Sequence, residues 1–185
     1  KSPKLGGFIS HYTLEEGKEY LKKNFYQTTN KLENVKNTIS NETLVNQLIA
    51  QVKEENLVAT IKTLSDFHNR YYKSNYGVQA AAWIKNTWSS LASASARSDI
   101  TVEEFKHRFS QPSIIMTIPG KDKTNEIVVL GGHLDSIAGF GGANQRAPGA
   151  DDNASGIAVL TEVIKIIFLN KIRLSFCAFV FCPTY

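Results

Sequence analysis

The feature that most constrains the fold is the junction between an apolar run, Ile127–Leu130, and the polar segment Gly131–Ser136 that follows it. An unbroken apolar run of this length is typical of a strand that is buried on both faces of a sheet. Residues 154–168 then repeat apolar side chains at helical spacing, and residues 172–181 predict another strand. A strand, a loop, a helix and a strand in this order predict a βαβ unit.

The residues before this unit predict further helices and an antiparallel pair of strands. Apolar side chains at helical spacing indicate two helices between residues 41 and 67, and a third helix at 79–94 that contains a buried Trp88. Residues 102–109 are irregular at first and then alternate at Phe105, His107 and Phe109, and residues 113–118 are mostly apolar, which predicts two antiparallel strands. We therefore predict an α/β fold in which helices flank a mixed, mainly parallel sheet.

Length and charge restrict the possible classes of protein. At 185 residues the chain is long enough for one domain with a substantial core. Residues 1–40 are polar and rich in Lys and Asn, so we interpret them as an N-terminal extension or propeptide-like arm and residues 41–185 as the folded domain. The net charge of +4 is not clustered, which disfavours a nucleic-acid partner. No apolar run reaches the roughly 18 residues that a membrane-spanning helix needs, so no membrane partner is predicted.

His133 and Asp135 lie at the carboxyl end of the predicted strand, which is where ligands bind in α/β sheets. A spacing of two residues in an extended segment places both side chains on one face. The carboxylate can then brace the imidazole from behind, so that the other ring nitrogen faces a metal. The alternative is a partly buried histidine that is satisfied by a local carboxylate, and these two residues alone do not decide between the interpretations.

A second acidic cluster, Asp151-Asp152-Asn153, directly precedes the helix predicted at 154–168. One such residue would be a helix cap, because Asp and Asn are favoured caps and the helix dipole stabilises negative charge there. Since two acids and an amide exceed what one cap needs, Asp152 is a candidate metal ligand and Asp151 or Asn153 the cap. Imidazole and carboxylate are donors that zinc uses.

The remaining histidines are interpreted as core or surface residues: His11, His68 and His107.

Several segments together resemble the zinc aminopeptidases of peptidase family M28, in particular the secreted bacterial leucine aminopeptidases. These segments are Thr63–Tyr72, Gly77–Ile84, Ser113–Gly120, Val129–Ser136 and Ala147–Gly156. The resemblance implies a zinc-exopeptidase-like fold, two zinc ions, and removal of N-terminal, preferably apolar, residues from peptides or proteins. It also implies that His133 would hold one zinc, that Asp152 would bridge both, and that Asp135 would orient His133.

The family pattern includes residues that this sequence does not show. After the helix it has a strand that ends in a Glu-Glu pair, of which one glutamate is the general base and the other a zinc ligand. A further aspartate and a second histidine complete its ligand set. Here the last acid is Glu162, within the predicted helix. We therefore interpret the chain as the N-terminal portion of an M28 domain, incomplete at the C-terminus and inactive by itself.

Two alternatives stay open: a non-catalytic binding or regulatory fragment, and a relative resembling glutaminyl cyclase. The residues after about Phe168 depart from the family and indicate either a divergent strand or a change of reading frame. We expect the apolar tail, Phe176–Phe181, to be exposed, so that deleting residues 172–185 would improve solubility. The resemblance implies a secreted protein, although the sequence shows no signal peptide.

Overall fold

The computed structural model of the protein describes residues 40–182 together with Glu15 and Glu19. Its α-helices are α1 (Glu42–Ile49), α2 (Glu54–Asp66), α3 (Asn75–Ala94) and α4 (Ser155–Leu169). Its strands are β1 (Thr101–Phe105), β2 (Ser113–Ile118), β3 (Lys123–Gly131) and β4 (Phe176–Cys182). None of the described helices is long and apolar enough to cross a bilayer. The division of the chain at residue 40 stays a prediction.

The described strands form one mixed sheet in the order β1-β2-β4-β3. β2 runs antiparallel to both β1 and β4, and β3 runs parallel to β4. The crossover from β3 through α4 to β4 confirms the predicted βαβ unit and the mixed α/β class. Its direction brings the end of β3 and the start of α4 to one edge of the sheet, where the candidate residues lie.

The strand predicted within residues 102–109 is shorter in the structure, because β1 ends at Phe105. Beyond the strand, the alternating rings contact one another. The ring centroids of Phe105 and His107 lie 5.0 Å apart in an edge-to-face arrangement, and those of His107 and Phe109 lie 4.6 Å apart and are stacked. Contacts between aromatic rings thus continue the two-residue pattern after strand pairing has ended.

The hydrophobic core lies between β2 and the helices α2, α3 and α4. Ile114, Met116 and Ile118 alternate along β2 and are all buried, as the two-residue period of a strand requires. Trp88 of α3 is fully buried, which confirms its predicted core position. Its Nε1 donates a hydrogen bond of 3.0 Å to Oγ1 of Thr161 in α4, so the polar edge of the indole is satisfied inside the core.

β3 differs from the prediction of a strand buried on both faces. All of its residues are exposed, including Ile127 at 57% and Val129 at 63%. β3 is an edge strand, and among residues 40–182 only β4 pairs with it. An apolar sequence indicates that a strand can be buried, but it does not show which residues would pack against it. Among the described residues, none buries β3. The prediction was wrong on this point.

β4 also differs from the predicted exposed tail, because it occupies a central position between β2 and β3. Ala178 is only 4% exposed, and Leu174, just before the strand, packs against the core. The amide of Lys121 donates a hydrogen bond of 2.8 Å to the carbonyl of Leu174. The position of a strand in the chain does not fix its position in the sheet, so a segment predicted as an open edge is a central strand, whereas the exposure predicted for its large side chains stays a prediction. Its aromatic side chains, Phe176, Phe179 and Phe181, lie outside the described part.

Candidate metal-binding site

The candidate site begins where β3 ends, at the loop that carries His133 and Asp135. The side chain of His133 is 27% exposed, whereas that of Asp135 is 6% exposed. Oδ1 of Asp135 lies 3.4 Å from Nδ1 of His133, and the carbonyl oxygen of Asp135 lies 3.1 Å from the same nitrogen. The structure therefore brings the predicted pair together, with Asp135 buried behind the imidazole ring.

Asp152 approaches the other nitrogen of the same ring. Its Oδ1 lies 2.7 Å from Nε2 of His133, and its side chain is 86% exposed. Asp152 belongs to an irregular turn, Ala150–Ala154, that leads into α4, and the peptide bond between Asp152 and Asn153 is cis. The two carboxylates thus lie on opposite sides of one imidazole, the buried one behind it and the exposed one in front.

Gly149 and Asn153 determine how the turn presents Asp152. Gly149 has a φ of +53°, and a Cβ there would lie 2.5 Å from the carbonyl oxygen of Asp152, so only glycine fits. Oδ1 of Asn153 accepts a hydrogen bond of 3.0 Å from the amide of Gly156 in the first turn of α4. Of the two residues that the sequence offered for capping, Asn153 therefore makes this contact, and the carboxylate of Asp152 points to His133.

A cleft of about 410 Å³ opens beside His133 and Asp152. Ile137 lines it and is 53% exposed, which gives the cleft an apolar wall. Arg146 also lines the cleft and adds a positive charge. Neither residue was predicted from the sequence, because loop residues belong to no periodic pattern that would mark them.

The other described histidines make different contacts. Nε2 of His68 lies 3.2 Å from the carbonyl oxygen of Asn144, and Nε2 of His107 lies 2.7 Å from Oγ of Ser113. His11 lies outside the described residues. In the described part of the chain, no group of three or more His, Cys, Asp or Glu side chains is arranged to hold a metal ion.

The donor chemistry of this pair fits a zinc ion. Zinc is bound by imidazole nitrogen and carboxylate oxygen, and metal-bound histidines usually donate their other N–H to a carboxylate or carbonyl. Acceptors of Asp135 and Asp152 lie at both ring nitrogens of His133, whereas a neutral imidazole carries a single N–H. A cation bound by Nε2 would leave the single N–H of a neutral ring at Nδ1, on the side of Asp135.

Known proteins share both the sequence and the fold of this chain. Residues 113–179 match peptidase family M28. Leucine aminopeptidase 1 of Arthroderma gypseum is 45% identical over 129 residues, which are 69% of this chain and 34% of that protein. The chain thus spans about a third of the length of the curated relatives it matches.

Two solved structures are similar in fold. LapB from Legionella pneumophila has a TM-score of 0.73 at 30% identity, and the match covers 89% of this chain and 43% of LapB. A glutaminyl cyclase from Bacteroides thetaiotaomicron has a TM-score of 0.54 at 16% identity, with 72% of this chain and 47% of that chain covered. At that identity, the second similarity shows the fold alone.

Proposed function

Since the chain belongs to peptidase family M28 through residues 113–179, we propose that it provides part of the zinc centre of a metalloaminopeptidase. The reaction is removal of N-terminal, preferably apolar, residues from peptides or proteins. His133 and Asp152 are the proposed zinc ligands, and Asp135 orients His133. The observation that carries the proposal is the 2.7 Å approach of Asp152 Oδ1 to His133 Nε2, with Asp135 at the opposite ring nitrogen.

His133 and Asp152 would hold the zinc ion, which would supply Lewis-acid chemistry at the cleft. The chain's own residues bind and orient. Asp135 accepts a hydrogen bond from the Nδ1–H group of His133. This contact fixes the tautomer in which the unprotonated Nε2 faces the cleft. The exposed carboxylate of Asp152 would be available to metal, and the family resemblance implies that it would bridge two zinc ions. Ile137 offers an apolar contact for a substrate side chain at the same cleft.

The substrate and the location of the protein are further parts of the proposal. The name of the leucine aminopeptidase relative supports peptide N-termini as substrates. Secretion is proposed from the resemblance to secreted leucine aminopeptidases. A non-catalytic binding fragment is the second candidate, because this sequence does not show the Glu-Glu pair of the family pattern. The glutaminyl-cyclase-like alternative has only a shared fold in its support.

Zinc binding tests this proposal. We expect the 185-residue chain to retain less than one zinc ion after dialysis, because a catalytic zinc normally has three protein ligands and the described site offers fewer. His133→Ala and Asp152→Ala are expected to remove the binding. Asp135→Asn is expected to weaken it about 10- to 100-fold, as the loss of an outer partner of a metal-bound histidine typically does. Elemental analysis measures the zinc retained per chain, and calorimetric titration measures the zinc affinity.

His107→Ala is the matched control for this experiment, because His107 contacts Ser113 and lies away from the cleft. It is expected to bind zinc as the unchanged chain does. Equal loss of zinc in His107→Ala and His133→Ala would contradict the proposed ligands. Two tightly held zinc ions per chain would also contradict the account, because they would require ligands beyond His133 and Asp152.

A further inference from the structure

Arg70 is a buried cation that connects the two segments of the candidate site. It lies between α2 and α3 and is 0% exposed. Its Nε donates a hydrogen bond of 2.6 Å to the carbonyl of Leu134, in the segment that follows β3. Its Nη1 donates to the carbonyl of Pro148 at 2.5 Å, and its Nη2 donates to the carbonyl of Gly149 at 3.0 Å. One guanidinium thus holds backbone from both ligand-bearing segments.

Further hydrogen bonds fix Arg70 itself. Its Nη1 also donates to the carbonyl of Leu64 in α2 at 3.1 Å, which ties the guanidinium to a helix. Its backbone amide donates to Oγ of Ser136 at 3.0 Å, and that hydroxyl donates to the carbonyl of Ala147 at 2.7 Å. Ser136 is therefore a second link between residue 70, the loop after β3, and the turn before α4.

The geometry of this contact is specific to arginine. A guanidinium is planar and presents its donors in a rigid fork, whereas a lysine ammonium is a compact charge on a flexible stem. A buried charge is costly unless hydrogen bonds satisfy it, and here the bonds go to backbone carbonyls of separate segments. Gly149 permits the close approach, since a Cβ there would lie 2.7 Å from Nη2 of Arg70.

We propose that Arg70 is a positioning residue that sets the separation between the segment 133–136 and the turn 147–149. At this separation Nε2 of His133 and Oδ1 of Asp152 converge at 2.7 Å. The inference rests on the proposed metal site, because it assigns to Arg70 an effect on the affinity of that site. Arg70 touches neither metal ligand in this proposal and acts only through the backbone that carries them.

Arg70→Lys tests the inference in the complete 185-residue chain. Lysine keeps the charge but cannot form the fork, so zinc affinity by calorimetric titration is expected to fall about 10- to 100-fold. Amide hydrogen exchange is the second readout, and it is expected to quicken at residues 133–136 and 147–149 but not in β2. The matched control is Thr161→Val, which removes the buried hydrogen bond to Trp88 in the core and is expected to leave zinc affinity unchanged. Circular dichroism checks that each variant is folded.

The outcomes separate this inference from the proposed function. Unchanged zinc affinity and exchange in folded Arg70→Lys would overturn the inference and leave the metal site intact. Zinc binding that survives His133→Ala would defeat the proposed function, and the exchange readout would still decide the role of Arg70. If Arg70→Lys does not fold, Ser136→Ala takes its place, because it removes one link of the same network. It is expected to weaken zinc binding by a smaller factor, and unchanged binding and exchange would overturn the inference.

Discussion

The 185-residue chain by itself is expected to hydrolyse leucine p-nitroanilide no faster than a zinc-containing buffer. General-base assistance is worth about 10²- to 10⁴-fold, and an incomplete metal site loses Lewis-acid stabilisation as well. Glu162, the last acid of the sequence, cannot provide this assistance because it is 4% exposed within α4. Its Oε1 accepts hydrogen bonds from the amide of Lys53 at 3.1 Å and from Nδ2 of Asn56 at 3.0 Å, at the start of α2.

Absorbance of released nitroaniline, with and without zinc, measures this turnover. The informative comparison is between Asp152→Asn and Asp66→Asn, because Asp66 is an exposed carboxylate that pairs with Lys62 at 2.8 Å. Zinc-dependent turnover that is lost in Asp152→Asn and kept in Asp66→Asn would show the prediction to be wrong. It would also favour the catalytic candidate over the non-catalytic fragment.

Deletion of residues 172–185 is expected to unfold the domain, contrary to the gain in solubility that the sequence predicted. The deletion removes β4, which pairs with both β2 and β3. β3 would then have no partner strand among the described residues, and β2 would lose one of its two. Each large apolar side chain that loses its burial costs roughly 1.5–3 kcal/mol, against a typical net stability of about 5–15 kcal/mol. Circular dichroism and size-exclusion chromatography measure the result.

Val129→Lys is the control for the deletion, because Val129 is 63% exposed on β3. A charge on this edge strand is expected to reduce association between chains, since unpaired edges with apolar side chains promote it. The melting temperature is expected to change by no more than a few degrees. Surface substitutions usually change the free energy of unfolding by no more than about 0.5 kcal/mol. A soluble monomer with a cooperative melt from the deleted chain would contradict the central role of β4.

The sequence predicted the helices and the positions of the candidate site residues, because neighbouring residues in the chain determine both. Helical spacing marked α3 and α4 to within a few residues, because the same spacing produces their buried faces. His133, Asp135 and Asp152 lie together as the strand end and the Gly-bounded turn predicted. The resemblance to M28 aminopeptidases is confirmed by the family match and by a leucine aminopeptidase that is 45% identical.

The sequence did not predict features that depend on distant neighbours. The exposure of β3 and the central place of β4 depend on which strands lie beside them, and an apolar run carries no information about that. Arg70 lies in the segment Thr63–Tyr72, which resembles the M28 family, but its contacts were not predicted. Three of its partners are backbone carbonyls 64, 78 and 79 positions away. Every residue has a carbonyl, so no side-chain pattern marks such contacts.

We propose that His133 and Asp152 bind the same zinc ion. Anomalous diffraction across the zinc absorption edge, from crystals of the chain soaked in zinc, locates such an ion. We expect a peak within about 2.0–2.2 Å of Nε2 of His133 and of a carboxylate oxygen of Asp152. A peak at His68 or His107 with none at His133 would contradict it.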